Sequence, residues 1–224
     1  PPEVSGEQGE MPKGATPEKK PARRERPAAT DARTANPEEG AGGPFPIVGI
    51  GMSAGGLEVA TEFLNAMPPD SGMGFVIVQH LEPTRKSLLA ELLGKQTEMP
   101  VLEVADGMKV EPNHVYVIVP AQTLLIQDGI LRLSEPLEPR GQRHPIDRFF
   151  TALAEDQKTK AIAVVLTGAG SNGTAGIQDI KLSCGMCNAQ DPETTKFDTI
   201  PSHAIASGAV DYVLAPADMP EALI

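Results

Sequence analysis

From Phe45 to the end of the chain, short hydrophobic runs alternate with amphipathic stretches. Runs rich in Val and Ile, typical of buried strands, begin at Ile47 and occupy residues 74–80, 101–104, 114–119 and 161–166. Apolar positions three and four residues apart predict helices over residues 55–66, 84–95 and 145–154. Strands that alternate with helices are typical of β-α-β units. The pattern therefore predicts a doubly wound, Rossmann-like α/β fold with a mostly parallel sheet.

One part of the pattern predicts antiparallel pairing. Thr123–Ile126 and Ile130–Leu133 are short apolar runs, and Asp128-Gly129 lies between them. Asp-Gly favours a tight hairpin turn, because both central positions of that turn need a positive φ. The sequence thus predicts a β-hairpin in addition to the parallel sheet.

The first 44 residues differ from the rest in composition. Residues 1–43 contain no Ile, Leu, Phe, Tyr or Trp and consist largely of Pro, Ala, Gly and charged residues. Such a segment buries too little apolar surface to offset its ordering entropy. We therefore expect a disordered tail over residues 1–44 and one folded domain over residues 45–224.

The net charge of -11 belongs mainly to the expected domain, since the tail contains seven basic and eight acidic residues. An acidic domain repels phosphates, so neither a nucleic acid nor an anionic membrane surface is an expected partner. Two cysteines cannot build a disulfide scaffold. No apolar run is long enough to span a membrane, and the N-terminus lacks the apolar core of a signal peptide. These observations predict a cytoplasmic protein.

A glycine-rich turn follows the first predicted strand and is the first candidate site. Gly51-x-Ser53-x-Gly55 has the spacing of a nucleophile elbow, in which a sharp strand-to-helix turn exposes a serine hydroxyl. The overlapping Gly49-x-Gly51-x-x-Ala54 also fits a loose dinucleotide-binding pattern. That pattern needs an acidic residue at the end of the next strand, which instead ends in Gln79-His80. A histidine there suits a serine nucleophile.

A second glycine-rich loop follows the most hydrophobic predicted strand. It comprises Thr167-Gly-Ala-Gly-Ser-Asn172-Gly173 and precedes another helix. In open parallel sheets, ligands bind at the carboxyl ends of strands, near the point where successive crossovers change face. We therefore expect Ser53, His80 and Asn172 to share one crevice.

Several short motifs follow one another along the expected domain. In chain order they are Gly49-Ile-Gly51-Met-Ser53-Ala-Gly55-Gly56, Gln79-His80, Ala105-Asp106-Gly107, Pro112-x-x-Val-Tyr116, Arg143-His-Pro-Ile-Asp147, Leu166-Thr-Gly168-Ala-Gly170-Ser-Asn172-Gly173 and Ala189-Gln190-Asp191. In this order they resemble the catalytic domain of the chemotaxis protein-glutamate methylesterase (CheB-type) family, and the resemblance covers the whole expected domain.

The resemblance implies a serine hydrolase that removes methyl groups from glutamate side chains of chemoreceptors, and in many members deamidates glutamines. It implies Ser53 as nucleophile, His80 as base, and the Ala169 backbone amide as a donor to the oxyanion. It implies neither a metal nor an organic cofactor. The implied partner is the cytoplasmic region of a methyl-accepting chemoreceptor.

The resemblance is strongest to methylesterase domains fused to a receptor methyltransferase, through Arg143–Asp147 and Ala189–Thr194. A methyltransferase domain, in cis or in trans, is therefore a further expected partner. The family's receiver domain has no counterpart, because residues 1–43 cannot fold into one. We expect the chain to be a fragment or a shortened relative.

Asn172 departs from the family, which has aspartate as the third triad member at this position. A triad carboxylate fixes the histidine tautomer and stabilises the imidazolium, whereas an amide carries no charge. We therefore expect weak activity or none. The first alternative is a non-catalytic relative that binds receptor or signalling partners through the same cleft, and the second is a dinucleotide-binding protein.

Other polar residues have ordinary structural interpretations. Cys184 and Cys187 have the spacing of a redox motif but lie between a helix end and a predicted buried strand, where small buried side chains are expected. Asp147 and Asp191 are carboxylates that could line the crevice, but each also fits a turn or helix-capping position.

Overall fold

The computed structural model describes residues 44–79, 88–139 and 142–224. Nine strands lie within these residues: β1 Ile47–Met52, β2 Gly74–Gln79, β3 Val101–Glu103, β4 Val115–Val117, β5 Thr123–Gln127, β6 Ile130–Ser134, β7 Ala161–Val165, β8 Met186–Gln190 and β9 Tyr212–Leu214. The helices of the same described residues are α1 Gly56–Ala66, α2 Leu89–Leu93, α3 Pro145–Gln157, α4 Thr174–Leu182, α5 Thr199–Ala206 and α6 Met219–Leu223, with short 3-10 helices at Lys158–Lys160 and Pro192–Thr194.

Seven of the described strands form one sheet, in the order β3-β4-β2-β1-β7-β8-β9, with parallel pairing throughout. The strand β1 lies in the middle, with β2 on one side and β7 on the other. The chain first builds the sheet outward from β1 through β2, and later in the opposite direction through β7. The switch between these directions lies at β1 and β7, whose carboxyl ends are where a site is expected in such sheets. The predicted doubly wound α/β fold is confirmed.

The sheet separates two hydrophobic layers. Side chains on one face pack with α1, α2 and α6, around buried residues such as Phe63, Phe75 and Met219. Those on the other face pack with α3, α4, α5 and the hairpin, around Phe149 and Phe150. Every residue of β1 and β7 is buried, as expected for central strands covered on both faces.

The strands β5 and β6 form the predicted hairpin. Asp128 and Gly129 have φ values of 54° and 70°, which the tight turn requires. The carboxylate of Asp156, near the end of α3, accepts hydrogen bonds from the backbone N–H groups of both turn residues. The hairpin is thereby attached to α3.

Two helix boundaries differ from the prediction. The helix predicted over residues 84–95 is only five residues long in the described part, because α2 begins at Leu89 and the chain turns at Gly94. Residues 84–87 lie outside the described residues. The helix predicted over residues 145–154 continues to Gln157, and Lys158 then adopts a φ of 53°. Positive φ is not helical, so Lys158 ends α3.

Candidate active site

The backbone of Ser53 is held by three hydrogen bonds at the carboxyl end of β1. Its N–H donates to the carbonyl oxygen of Thr167, at 2.9 Å. Its own carbonyl oxygen accepts from the backbone N–H of Gly56 and from the side-chain amide of Gln79, each at 3.1 Å. Gly55 has a φ of 74°, which glycine adopts without strain, and α1 begins directly after it. The structure thus has the strand-turn-helix context that a nucleophile elbow requires.

The glycines before Ser53 serve helix packing. A Cβ at Gly51 would lie 2.4 Å from Cγ2 of Ile146, and one at Gly49 would lie 3.0 Å from side-chain atoms of Leu153 and Phe150. Both glycines therefore allow α3 to approach the sheet closely. The spacing that suggested dinucleotide binding is explained by this contact, on the face of β1 covered by α3.

The second glycine-rich loop touches the Ser53 turn directly. A Cβ at Gly168 would lie 2.8 Å from Cβ of Ser53 and 2.5 Å from Cδ1 of Ile200, so only glycine fits there. Ala169 is exposed beside this contact, and its backbone N–H donates to no acceptor among the described residues. The predicted neighbourhood of Ser53 and this loop is therefore present, and the Ala169 amide is available to a ligand. Its part in an oxyanion hole stays a prediction.

Asn172 is buried, and only one of its two polar side-chain atoms has a hydrogen-bond partner among the residues that the structure describes. Its Oδ1 accepts a hydrogen bond from the backbone N–H of Asp147 at 3.1 Å, while its Nδ2 has no partner among the described residues. The backbone N–H can only donate, so it fixes which end of the amide is the oxygen. The hydroxyl of Thr174, two residues later, likewise has no partner within the described part of the chain. The side-chain amino group of Asn172 is thus the part of the amide that can donate to another group.

His80, the predicted base, lies outside the described residues. Gln79 immediately precedes it, ends β2 beside Met52, and donates its side-chain hydrogen bond to Ser53. The assignment of His80 therefore stays a prediction.

The two carboxylates that could line the crevice act as caps. Oδ1 of Asp147 accepts from the backbone N–H of Gly176 at 2.9 Å, in the first turn of α4. Oδ1 of Asp191 accepts from the backbone N–H of Glu193 at 3.0 Å, at the start of a 3-10 helix. Each carboxylate satisfies an N–H that a helix start leaves without an internal partner.

Thr167, which the sequence alone did not single out, links three loops of the site. Its hydroxyl lies 2.6 Å from the hydroxyl of Thr195 and 3.1 Å from the carbonyl oxygens of both Ala54 and Phe197. Its own carbonyl oxygen accepts from Ser53, as described above. A polar residue that ends the most hydrophobic strand, directly before a glycine, was the signal that could have identified it.

The cysteine pair lacks the features of a redox site. Cys187 is buried on β8, where desolvation, aided by the Asp211 carboxylate, raises the pKa of its thiol to about 12. A thiol with this pKa stays protonated and unreactive near neutral pH. Cys184 is exposed rather than buried, which corrects the expectation for that residue.

Two absences hold for the described residues. No group of three or more His, Cys, Asp or Glu side chains in this part of the chain is arranged to hold a metal ion. None of its helices is long and apolar enough to cross a membrane.

These features define an α/β protein with a candidate nucleophile at the carboxyl end of its central strand. The family model described as CheB methylesterase matches residues 48–223. The chain belongs to the CheB methylesterase family.

Individual relatives agree with this assignment. A putative protein-glutamate methylesterase/protein-glutamine glutaminase of Leptospira interrogans is 33% identical over 172 residues, which are 76% of this chain and 89% of that protein. The crystal structure of the Thermotoga maritima CheB methylesterase catalytic domain matches with a TM-score of 0.73 and 34% identity, over 80% of this chain and 97% of that structure.

Other relatives are longer. An uncharacterized 104.1 kDa protein of Rhodobacter capsulatus is 40% identical over 126 residues, which are 56% of this chain and 13% of that protein. The chain spans about half the length of several proteins named protein-glutamate methylesterase/protein-glutamine glutaminase.

Proposed function

We propose that the chain is a protein-glutamate methylesterase that hydrolyses glutamate methyl esters in the cytoplasmic region of a chemoreceptor. The observation that carries the proposal is the Ser53 turn, which is hydrogen-bonded to the loop after β7 and lies at the switch point of the sheet. The family to which the chain belongs is named for this reaction. Relatives named as glutaminases extend the proposal to receptor glutamines, whose hydrolysis releases ammonia.

The reaction has two steps. The hydroxyl oxygen of Ser53 attacks the ester carbonyl carbon while His80 accepts the serine proton, and methanol then leaves with a proton returned by His80. Water hydrolyses the resulting acyl-enzyme and regenerates the serine, leaving the free glutamate. The exposed backbone N–H of Ala169 is the proposed donor to the oxyanion that forms in each step.

In this proposal, Asn172 limits how well His80 can act as the base. Since its Oδ1 is committed to the Asp147 N–H, only its Nδ2 donor can face a histidine ring. A ring that accepts from this donor carries its own proton on the other nitrogen, directed toward the serine, and cannot take the serine proton. In a serine protease the equivalent replacement of aspartate by asparagine lowers kcat about 10⁴-fold. We therefore propose a slow enzyme.

The same observation favours one alternative function. A cleft with a pinned serine and an uncharged third group could bind receptor without turning it over, as a regulatory relative of the methylesterases. For both functions we place the protein in the cytoplasm, with the receptor as partner. A methyltransferase domain as a second partner stays a prediction.

Methanol release from a methylated receptor fragment tests the proposal. The purified chain should release methanol slowly, and Ser53→Ala should release none above the uncatalysed rate. Equal release by both proteins would exclude Ser53 as nucleophile. If neither protein releases methanol although both bind the fragment, the binding alternative is correct.

A further inference from the structure

Phe197 is an exposed aromatic side chain beside the candidate nucleophile. The chain has six phenylalanines, of which Phe63, Phe75, Phe149 and Phe150 are completely buried. Phe45 is partly buried against the core. Phe197 is 44% exposed. Its exposure therefore needs an explanation other than core packing.

The ring of Phe197 lies against the Ser53 turn. A Cβ at Gly55 would lie 3.2 Å from Cδ2 of Phe197, so the ring lies close to the backbone two residues after Ser53. The segment that contains Phe197 follows β8 and precedes α5, at the carboxyl edge of the sheet. Since its ring lies beside the turn and the residue is partly exposed, Phe197 borders the candidate site.

Hydrogen bonds hold the Phe197 backbone in this position. Its carbonyl oxygen accepts from the backbone N–H of Gly168 at 2.8 Å and from the Thr167 hydroxyl at 3.1 Å. Its N–H donates to the Thr195 hydroxyl at 3.1 Å. The backbone that carries the ring is therefore already ordered, so little backbone entropy is lost when a partner covers the ring, which favours an interface anchor.

A protein ester requires such an anchor. The inference rests on the proposed function, in which the reacting group is a small methyl ester on a long polypeptide. The ester offers few contacts of its own, so the binding energy that positions it has to come from the neighbouring polypeptide. An apolar ring directly beside the nucleophile turn is placed to supply that contact.

We propose that Phe197 is a specificity-determining residue, whose ring contacts apolar side chains next to the esterified glutamate and so positions the ester over Ser53. A small ester such as p-nitrophenyl acetate has no polypeptide and makes no use of this contact. Phe197 therefore discriminates between receptor and small ester without taking part in the bond changes.

The kinetic test compares Phe197→Ala with Tyr212→Ala. Tyr212 is a matched control, because it is 47% exposed and lies on the edge strand β9, away from β1. Phe197→Ala should lower kcat/KM for the methylated receptor fragment about 10- to 100-fold, mostly through KM, as expected for loss of an aromatic hot spot. Hydrolysis of p-nitrophenyl acetate should stay within about twofold, and Phe197→Leu should restore most of the receptor activity. Tyr212→Ala should change neither reaction.

An equal loss on both substrates would overturn the inference, because it would mean that Phe197 only supports the Thr167 loop. A binding measurement decides the matter even if no hydrolysis occurs. In the Ser53→Ala background, Phe197→Ala should weaken binding of the methylated receptor fragment about 10-fold or more, whereas Tyr212→Ala should not. Unchanged affinity would overturn the inference, whether or not the proposed function holds.

Discussion

The two sides of the candidate site differ in how completely their polar groups are satisfied. On the side of Ser53, the backbone groups of Ser53 and the hydroxyl of Thr167, which begins the second glycine-rich loop, all have partners. At the other end of that loop, Nδ2 of Asn172 and the hydroxyl of Thr174, the first residue of α4, have none among the described residues. Buried polar groups without partners are costly and are often found where function requires them. The comparison indicates that the backbone of the proposed nucleophile is fully hydrogen-bonded, whereas the proposed orienting residue is not.

The largest expected effect on activity comes from giving residue 172 the carboxylate that the family has at this position. Asn172→Asp supplies a carboxylate that can accept from a histidine ring while its other oxygen keeps the Asp147 N–H. Ester hydrolysis should rise about 10²- to 10⁴-fold. The measurement is kcat for methanol release from receptor. An Asp variant with an intact fold and unchanged activity would show that the unsatisfied Nδ2 is not the limiting feature.

Disrupting the contact between the Ser53 turn and the second glycine-rich loop should have the next largest effect on activity. Gly168→Ala places a Cβ 2.8 Å from Cβ of Ser53, so the two loops must separate. Activity should fall about 10- to 100-fold through displacement of the nucleophile. The free energy of unfolding should fall by about 1–3 kcal/mol through overpacking.

Gly208→Ala is the control for Gly168→Ala. Gly208 has a φ of 74°, and open space surrounds the position that a Cβ would take, so alanine there adds backbone strain without a clash. The variant should lose about 1 kcal/mol of stability but keep its activity. If it loses as much activity as Gly168→Ala, general destabilisation explains both results.

The accuracy with which the sequence predicts the fold varies along the chain. The strands β1 and β7 were predictable, because continuous apolar runs are typical of strands covered on both faces. The helix over residues 84–95 was overpredicted, since its apolar spacing does not show that the chain turns at Gly94. Local patterns therefore gave the central elements more reliably than the short peripheral ones.

The site was predictable in its location but not in its contacts. Glycine spacing identified the Ser53 turn, yet the same spacing could not show that Gly49 and Gly51 make room for α3. The Thr167–Thr195 and Asn172–Asp147 hydrogen bonds join residues 28 and 25 positions apart. Contacts of this kind depend on how crossovers bring strand ends together, which no local pattern contains.

A pair of isosteric substitutions compares the two sides of the site through the free energy of unfolding. Thr167→Val removes a buried hydroxyl that lies within hydrogen-bond distance of three polar groups of neighbouring loops, so the free energy of unfolding should fall by about 1–3 kcal/mol. Thr174→Val removes a hydroxyl with no described partner, so the change should lie within about 0.5 kcal/mol of zero. Chemical denaturation of the two variants gives both values. Equal losses would contradict the contrast between the Ser53 side and the Asn172 side of the site.

The smallest expected effect concerns the far end of α4, the helix that follows the Asn172 loop. Cys184 has a φ of 60° although it is not glycine. Cys184→Gly should raise the free energy of unfolding by about 1 kcal/mol, because glycine adopts this conformation without strain. Its neighbour Ser183 has a φ of -84°, so Ser183→Gly should instead lower stability. A Cys184→Gly variant less stable than the original would show that the side chain makes a contact worth more than the strain.

Labelling with a serine-directed fluorophosphonate tests the central claim most directly, since the probe reacts only with an activated serine. We predict a single adduct, located on Ser53 by peptide mass spectrometry, which forms slowly in the original chain and at least about 10²-fold faster in Asn172→Asp. Absence of an adduct from both proteins, or an adduct on any other serine, would contradict the assignment of Ser53 as a nucleophile whose activation is limited by Asn172.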